Sequence, residues 1–263
     1  MVQNLAVKVT TYNAASVRAR MPRLLEWIDT NEPDILAIQE TKVENHVFPE
    51  SEFRDRGYEI AVNGQKSWNG VCILSKRPLT NVRIGFDDPF LPNDARVISA
   101  DVDGIEIVNT YVPNGNTVGS EKWSYKLAWL DHFRTFLDDR YSASQPLIWL
   151  GDINIAPKPI DVYDSAKVLN GVGHHPDEFS RLDRIVDFGL TELYRSFYPD
   201  VRQFTFWDFT LPKAVERGLG WRIDHIYTTA DLTNRALDVS IDIEARLREK
   251  PSDHTFVTAT FDL

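Results

Sequence analysis

The sequence predicts an α+β protein: a two-layer mixed β-sandwich flanked by helices. Three observations lead there. Apolar, β-branched runs of strand length recur along the chain, more of them than an alternating parallel fold would use. Asp103-Gly104 stands between two such runs and signals a hairpin, so some neighbouring strands are antiparallel. Helical stretches are interspersed among the strands, which asks for packed sheets with helices outside.

The elements follow in order. Leu5–Asn13 reads as the first strand. Val17–Thr30 follows as a helix, with Ser16 at its N-cap and Leu24, Leu25, Trp27 and Ile28 on its buried face. Asp34–Glu40 is a short buried strand, and Tyr58–Asn63 and Val71–Ser75 are two more. Arg96–Val102 and Ile105–Val112 flank the hairpin turn. Ser120–Tyr141 is the longest helical candidate, Leu147–Leu150 a strand and Asp177–Phe188 a helix. Ile223–Thr228, Leu237–Ile243 and Phe256–Phe261 are the last strands. No repeat, low-complexity tract or Gly/Ser linker interrupts the chain, so residues 1–263 read as one domain.

Composition narrows the function classes. With 43% hydrophobic residues a full core can be buried. The net charge of −10 argues against a protein that coats nucleic acid without specificity, yet leaves room for a local basic cleft. A surplus of carboxylates also suits a hard-cation site. No apolar run is long enough to span a membrane, and Met1–Lys8 lacks the features of a signal peptide. The single cysteine, Cys72, excludes an intrachain disulfide and makes a reducing cytoplasm the natural location.

Polar residues gather where the strands end. Asn13, Glu40 and Tyr111 each close a strand. Asp152 and Asn154 follow the apolar run Leu147–Gly151, spaced so that both face one way in extended backbone while Ile153 and Ile155 turn into the core. Asp224 interrupts Trp221–Tyr227, and Asp253-His254 precede the last strand. Each has an ordinary reading as a turn or solvated strand end, with Lys42 a surface partner for Glu40. His174-His175-Pro176 reads as a solvated loop, since no third ligand is in register. If the strand ends share one rim, one cleft collects carboxylates, a histidine, a tyrosine and amides.

That ensemble carries a resemblance. Gln39–Lys42 (QETK), Gly151–Pro157 (GDINIAP), Gly220–Asp224 (GWRID) and Lys250–His254 (KPSDH) occur in this order with suitable spacing. Together they resemble the exonuclease III and apurinic/apyrimidinic endonuclease family, within the endonuclease/exonuclease/phosphatase superfamily. Arg18–Arg20, Gly64–Lys76, Tyr111–Gly115 and Thr205–Phe209 narrow it to the DNA-repair branch. The resemblance implies a DNase I-like, four-layer α/β/β/α fold. It also implies a metal-dependent hydrolase of base excision repair. Such an enzyme cuts the DNA backbone 5′ to abasic sites and has 3′-repair or 3′→5′ exonuclease activity. The expected cofactor is Mg2+, with Mn2+ as a substitute. The expected partner is double-stranded DNA with abasic sites or blocked or recessed 3′ ends. A cytoplasmic monomer without membrane attachment is expected, nucleoid-associated if bacterial.

Roles follow from chemistry and resemblance together. Glu40 is the expected metal ligand, with Asp253 a ligand or its neighbour; Asn13, Asp152 and Asn154 complete the metal set. Asp152 is expected to orient or deprotonate the attacking water, Asn154 to donate to a phosphate oxygen, and Tyr111 to hydrogen-bond the phosphate or assist the leaving oxygen. His254 needs a carboxylate to fix its ring. Asp253 points the other way in an extended segment, so Asp224 is the expected partner. By resemblance, Phe206, Trp221 and Ile223 wall the pocket for an extruded base-less sugar. Arg18, Arg20, Lys66 and Asn114 are expected phosphate contacts, and Lys122 is either one or part of a solvated helix face.

Three departures stand out. Ala15 replaces a polar residue of the relatives near a secondary metal locus, Phe209-Thr210 stand for Tyr-Arg, and Val215 and Gly218 stand for an arginine and an asparagine. Two other readings are a phosphodiesterase of the same fold acting on a lipid or inositol phosphate, and a catalytically weak DNA-binding relative.

Overall fold

The computed structural model describes residues 6–86 and 94–263; the expected strand residue Leu5 lies outside them. In chain order the strands are β1 (Ala6–Asn13), β2 (Ile35–Gln39), β3 (Glu59–Asn63), β4 (Val71–Ser75), β5 (Thr80–Ile84), β6 (Val97–Val102), β7 (Ile105–Tyr111), β8 (Leu147–Asp152), β9 (Leu190–Glu192), β10 (Asp224–Thr229), β11 (Ala236–Ile241) and β12 (Val257–Asp262). The helices are α1 (Val17–Asn31), α2 (Glu50–Arg54), α3 (Glu121–Arg140), α4 (Ser165–Val168), α5 (Pro176–Val186), α6 (Leu193–Phe197), α7 (Ala230–Arg235) and α8 (Ile243–Leu247).

The strands form two six-stranded sheets, ordered β11-β12-β1-β2-β4-β3 and β5-β6-β7-β8-β10-β9. Each sheet has one parallel pair near its centre. β1 runs parallel to β2 with Asn13 opposite Gln39, and β7 parallel to β8 with Tyr111 opposite Asp152. A parallel return needs a crossover, and the two long helices α1 and α3 supply them. The C-terminal ends of four inner strands therefore reach one rim. Antiparallel β10 brings Asp224 opposite Asp152 on that same rim.

Both faces of each sheet are covered. Between the sheets, Val9, Ile35, Ala37 and Ile73 pack with Ile107, Ile148, Leu150 and Ile226. Outside the first sheet, Tyr12, Leu36, Ile38 and Cys72 pack under Leu24, Trp27 and Ile28 of α1. Outside the second, Val108 and Trp149 pack under Trp129, Phe133 and Leu137 of α3 and Leu182 and Ile185 of α5. The layer order is α/β/β/α, the predicted fold class. Two-sided burial explains why Ile35-Leu36-Ala37-Ile38 is continuously apolar rather than alternating.

One polar tie crosses the sandwich just below the rim. Gln39 Nε2 donates to Asn109 Oδ1 at 2.8 Å, and Asn109 Nδ2 donates to the Cys72 and Ile38 carbonyls at 2.8 and 3.1 Å. Both side chains are fully buried, so the bonds fix how the two sheets are offset.

The elements differ from expectation in specific ways. β8 runs on to Asp152, two residues past the predicted end, because β7 and β10 pair with it that far. Glu40 leaves β2 with φ 51°. Ile243, predicted as strand, begins α8 instead, capped by the Asp242 side chain. Leu25 packs against the core under α1 as expected, but is only half-buried. Strands β5 and β9 were not anticipated. β5 is exposed throughout and β9 has three residues, so neither carries an apolar pattern. No described helix is long and apolar enough to cross a membrane.

The polar tie generates a stability prediction. Asn109→Ala leaves the buried Gln39 amide with Thr11 Oγ1 as its main remaining acceptor and removes the donor to the Cys72 and Ile38 carbonyls, so it should cost about 2–4 kcal/mol. Urea unfolding measures it. An unchanged midpoint would mean that apolar packing alone sets the sheet offset.

Candidate active site

Asn13 ends β1 with its side chain between two carboxylates. Its Nδ2 donates to Glu40 Oε1 at 2.9 Å and to Asp152 Oδ2 at 2.8 Å, while its Oδ1 accepts from the Ala15 N–H at 2.9 Å. Carboxylates only accept, so the amide orientation is fixed. With both amide hydrogens engaged, Asn13 bridges the two carboxylates as an orienting amide, and its oxygen holds the Ala15 N–H. Glu40 is turned into the site by its left-handed φ of 51°, a strained conformation for glutamate. Its other oxygen pairs with Lys42 Nζ at 2.7 Å. Burial pushes the Glu40 carboxyl up, but Lys42 and Asn13 hold it below its usual value overall.

Gly151 makes the next approach. Its φ is 141°, and a Cβ there would sit 2.0 Å from the Thr110 carbonyl oxygen, so only glycine fits between β7 and β8. Asp152 and Asn154 do face the same cavity, but not through extended backbone as the spacing suggested. Asn154 has φ 53°, left-handed, which asparagine tolerates. Its N–H donates to Asp152 Oδ1 at 3.0 Å, closing a tight turn. Its Nδ2 must face the Val112 carbonyl at 3.0 Å, so its Oδ1 accepts from Asn114 Nδ2 at 3.0 Å. One amide hydrogen of Asn114 and one of Asn154 are left over. Ile153 and Ile155 are fully buried beneath.

His254 Nδ1 lies 2.8 Å from Asp224 Oδ2, and its Nε2 lies 3.7 Å from Asp152 Oδ2. Burial disfavours the imidazolium, but Asp224 and Asp152 outweigh it and raise the pKa to about 10. Burial, Asp224 and Glu40 push Asp152 up to about 7, against the pull of His254. Tyr111 stays a neutral donor: burial, Glu40 and Asp152 all raise its pKa far above the usual phenol value. The Asp253 carboxylate accepts from Ser252 Oγ at 3.2 Å and lines the same cavity.

These groups form the floor of a cavity of about 570 Å³, and Phe206, Trp221, Ile223 and Asn114 line its side. Phe206 packs on the His254 ring at 4.9 Å between centroids. Arg18, Arg20, Lys66 and Lys122 do not line the cavity. Arg18 donates to the Val47 carbonyl at 2.7 Å, and Lys66 and Lys122 are exposed.

Sequence reasoning missed what holds this floor from below. Lys126 is fully buried in α3 and pairs with fully buried Glu178. It also donates to the Asn154 carbonyl at 2.8 Å and the Asn114 carbonyl at 3.1 Å, fixing both amide-bearing loops. The signal was a lysine in the apolar stripe Trp123, Lys126, Leu130, Phe133. On the other side, buried Arg222 donates to Asp161 Oδ1 at 2.8 Å and to Glu192 Oε1 at 2.9 Å. His225 Nε2 donates to the Ile155 carbonyl at 2.9 Å, and the Ile153 N–H donates to the Ile223 carbonyl at 2.8 Å. The His174-His175 pair is not a solvated loop. His174 is buried between the Ala156 carbonyl at 2.6 Å and Ser165 Oγ at 2.8 Å, and His175 caps α5.

The donor set fits a hard cation. Glu40, Asp152 and His254 offer ligand atoms all within 4.8 Å of one another. As an imidazolium, His254 has no lone pair to give, so carboxylate oxygens remain, the ligands of choice for such an ion.

Two outcomes follow. His254 gains stability from its raised pKa, fully present below about pH 6.5 and lost as pH rises through about 10. Asp224→Asn should therefore shift the His254 titration downward by NMR and flatten the loss of melting temperature above neutral pH. An unmoved titration would sink the pairing. Lys126→Met leaves Glu178 charged and unpaired in the core, at a cost of about 3–5 kcal/mol in urea unfolding. Adding Glu178→Gln should recover part of it; no loss in the single variant would refute the support role.

The endonuclease/exonuclease/phosphatase family model matches residues 10–254. An exodeoxyribonuclease III of Haemophilus influenzae is 29% identical over 275 aligned positions, covering 97% of this chain and 100% of the relative. The structure of an AP endonuclease from Archaeoglobus fulgidus superposes with a TM-score of 0.94 at 40% identity, covering 98% of this chain and 100% of that one. A 3′ phosphatase from Neisseria, solved with a product DNA hairpin, superposes with a TM-score of 0.92 at 35% identity, again covering 98% and 100%. Site geometry, fold and matched length converge: the chain belongs to the endonuclease/exonuclease/phosphatase family.

Proposed function

We propose that the protein is a Mg2+-dependent DNA-repair phosphodiesterase that cuts double-stranded DNA 5′ to abasic sites and also processes 3′ ends. The observation that carries this is the juxtaposition of the Glu40–Asp152–His254 cluster with a cavity walled by Phe206, Trp221 and Ile223. The floor suits a phosphodiester. The apolar wall suits a sugar that carries no base, which is cheap to extrude because nothing must be unstacked. The relatives named AP endonuclease and exodeoxyribonuclease III support the same substrate class.

Glu40 and Asp152 are the groups that would hold the ion, and Asp253 stands near them. Bound Mg2+ supplies charge neutralisation at the phosphate. The remaining work falls to the chain. Asp152, at the cavity floor beside His254, is placed to orient an attacking water or accept its proton. His254, held charged by Asp224, faces the phosphate as a fixed cation. The spare amide hydrogens of Asn114 and Asn154 can donate to its oxygens. Tyr111 is a donor to the leaving oxygen and not a base, given its raised pKa.

A second emphasis, toward 3′ ends, is favoured by the Neisseria relative with its product hairpin. One gel separates the two. A duplex with a single abasic analogue and an intact duplex with a recessed 3′ end are incubated with Mg2+ or with chelator. Incision of the first is expected with Mg2+ only, and resection of the second measures the exonuclease share. Asp152→Ala and His254→Ala should each lower kcat by about 10³-fold or more. Cleavage in chelator would overturn the metal requirement, and wild-type rates in both variants would overturn the mechanism.

A further inference from the structure

Beside the cavity, Phe209 stands in the loop between Phe206 and Trp221 and is 51% exposed. Two guanidinium groups converge on its ring. Arg246 of α8 places Cζ 4.9 Å from the centroid, and Arg20 of α1 places Cζ 6.0 Å away. Arg246 donates to the Trp207 carbonyl at 3.2 Å. The Arg20 guanidinium makes no hydrogen bond or ion pair with a described residue, and the Nε of each arginine is buried without an acceptor. Its helix neighbours differ: Arg18 is spent on the Val47 carbonyl, and Arg23 on Glu26 and Glu249.

Two cations held against one ring repel each other unless an anion joins them. Asp253 is the carboxylate that acts on Arg246, and it belongs to the cavity wall. The Trp207 N–H donates to the Asp253 carbonyl at 2.9 Å, so the backbone links the arginine pair directly to that wall. The donors left over form planar forks, which match phosphate oxygens better than a single amine does.

We propose that Arg20 and Arg246, assembled on Phe209, form a binding site for a DNA backbone phosphate flanking the one that is cut. The site rests on the DNA-directed reading of the cavity and extends it along the strand. It also answers how a chain of net charge −10 holds a polyanion: with donors that its own carboxylates do not consume.

The test measures binding of an abasic-analogue duplex in chelator across a range of salt concentrations. Arg20→Gln should weaken binding about tenfold and lower the slope of log Kd against log salt by about 0.9. Arg23→Gln removes the same charge from the same helix and should leave the slope at the wild-type value. Arg20→Lys should keep most of the slope, and melting temperatures confirm folding of each variant. Equal slopes in Arg20→Gln and wild type would overturn the site, as would equal losses in Arg20→Gln and Arg23→Gln. Wild-type protein that binds no duplex at all would instead overturn the proposed function.

Discussion

A single amide group holds the centre of this protein together. Asn13, at the end of one sheet, gives one hydrogen to Glu40 of its own sheet and the other to Asp152 of the opposite sheet. Without a donor between them, the half-buried Glu40 and buried Asp152 carboxylates would repel, and one would take up a proton. The sandwich is built to deliver that contact. Parallel pairing carries Asn13 and Asp152 to a common rim, and the Gln39–Asn109 tie directly beneath fixes the sheet offset.

Charge is then divided among groups of the same type. Glu40 stays anionic because Lys42 and Asn13 outweigh its burial. Asp152, one hydrogen bond away, is buried deeper and meets both Asp224 and Glu40, so its proton is held to about pH 7. His254 takes the complementary place as a cation. Three carboxylates within one rim thus differ in their surroundings: Glu40 is held anionic by Lys42 and Asn13, Asp152 holds its proton more tightly, and Asp224 pairs with the histidine. Left-handed backbone at Glu40, Lys42 and Asn154 shows where the fold accepts strain to aim these groups.

Much of this was legible in the sequence, for a physical reason. Strand ends are where a chain can switch from apolar to polar without burying an unpaired group, so Asn13, Glu40, Asp152 and Asp224 stood out as a set. What was not legible depends on partners far along the chain. Lys126 is a defect in an apolar stripe until Glu178 and two loop carbonyls, up to 52 residues away, surround it. His174 looked solvated because nothing local announces Ala156 and Ser165 as its neighbours. Asn154 faces the cavity through a left-handed residue just past the strand, which a period of two cannot represent. Strand β5 had no buried face to leave a pattern.

The floor and the walls of the cavity carry different kinds of information. The floor addresses a phosphodiester, which every backbone position of DNA offers alike, so it cannot by itself choose a lesion. Choice must come from the loop between Phe206 and Trp221. That loop contributes Asp208, Leu211 and Leu219 to the wall besides its two aromatic ends, and Phe209 to the surface beyond. Apart from Ala15, the departures from the pattern the chain resembles fall here: Thr210, Val215 and Gly218 stand where that pattern has larger polar side chains. Val215 packs with Phe204 and Trp207 instead of reaching outward. Under the proposed function, that shorter reach would leave contacts to the strand's backbone to carry more of the binding. That capacity is what we assign to Arg20, whose guanidinium has no partner among the described residues, and Arg246, which gives one bond to the Trp207 carbonyl, both braced on Phe209.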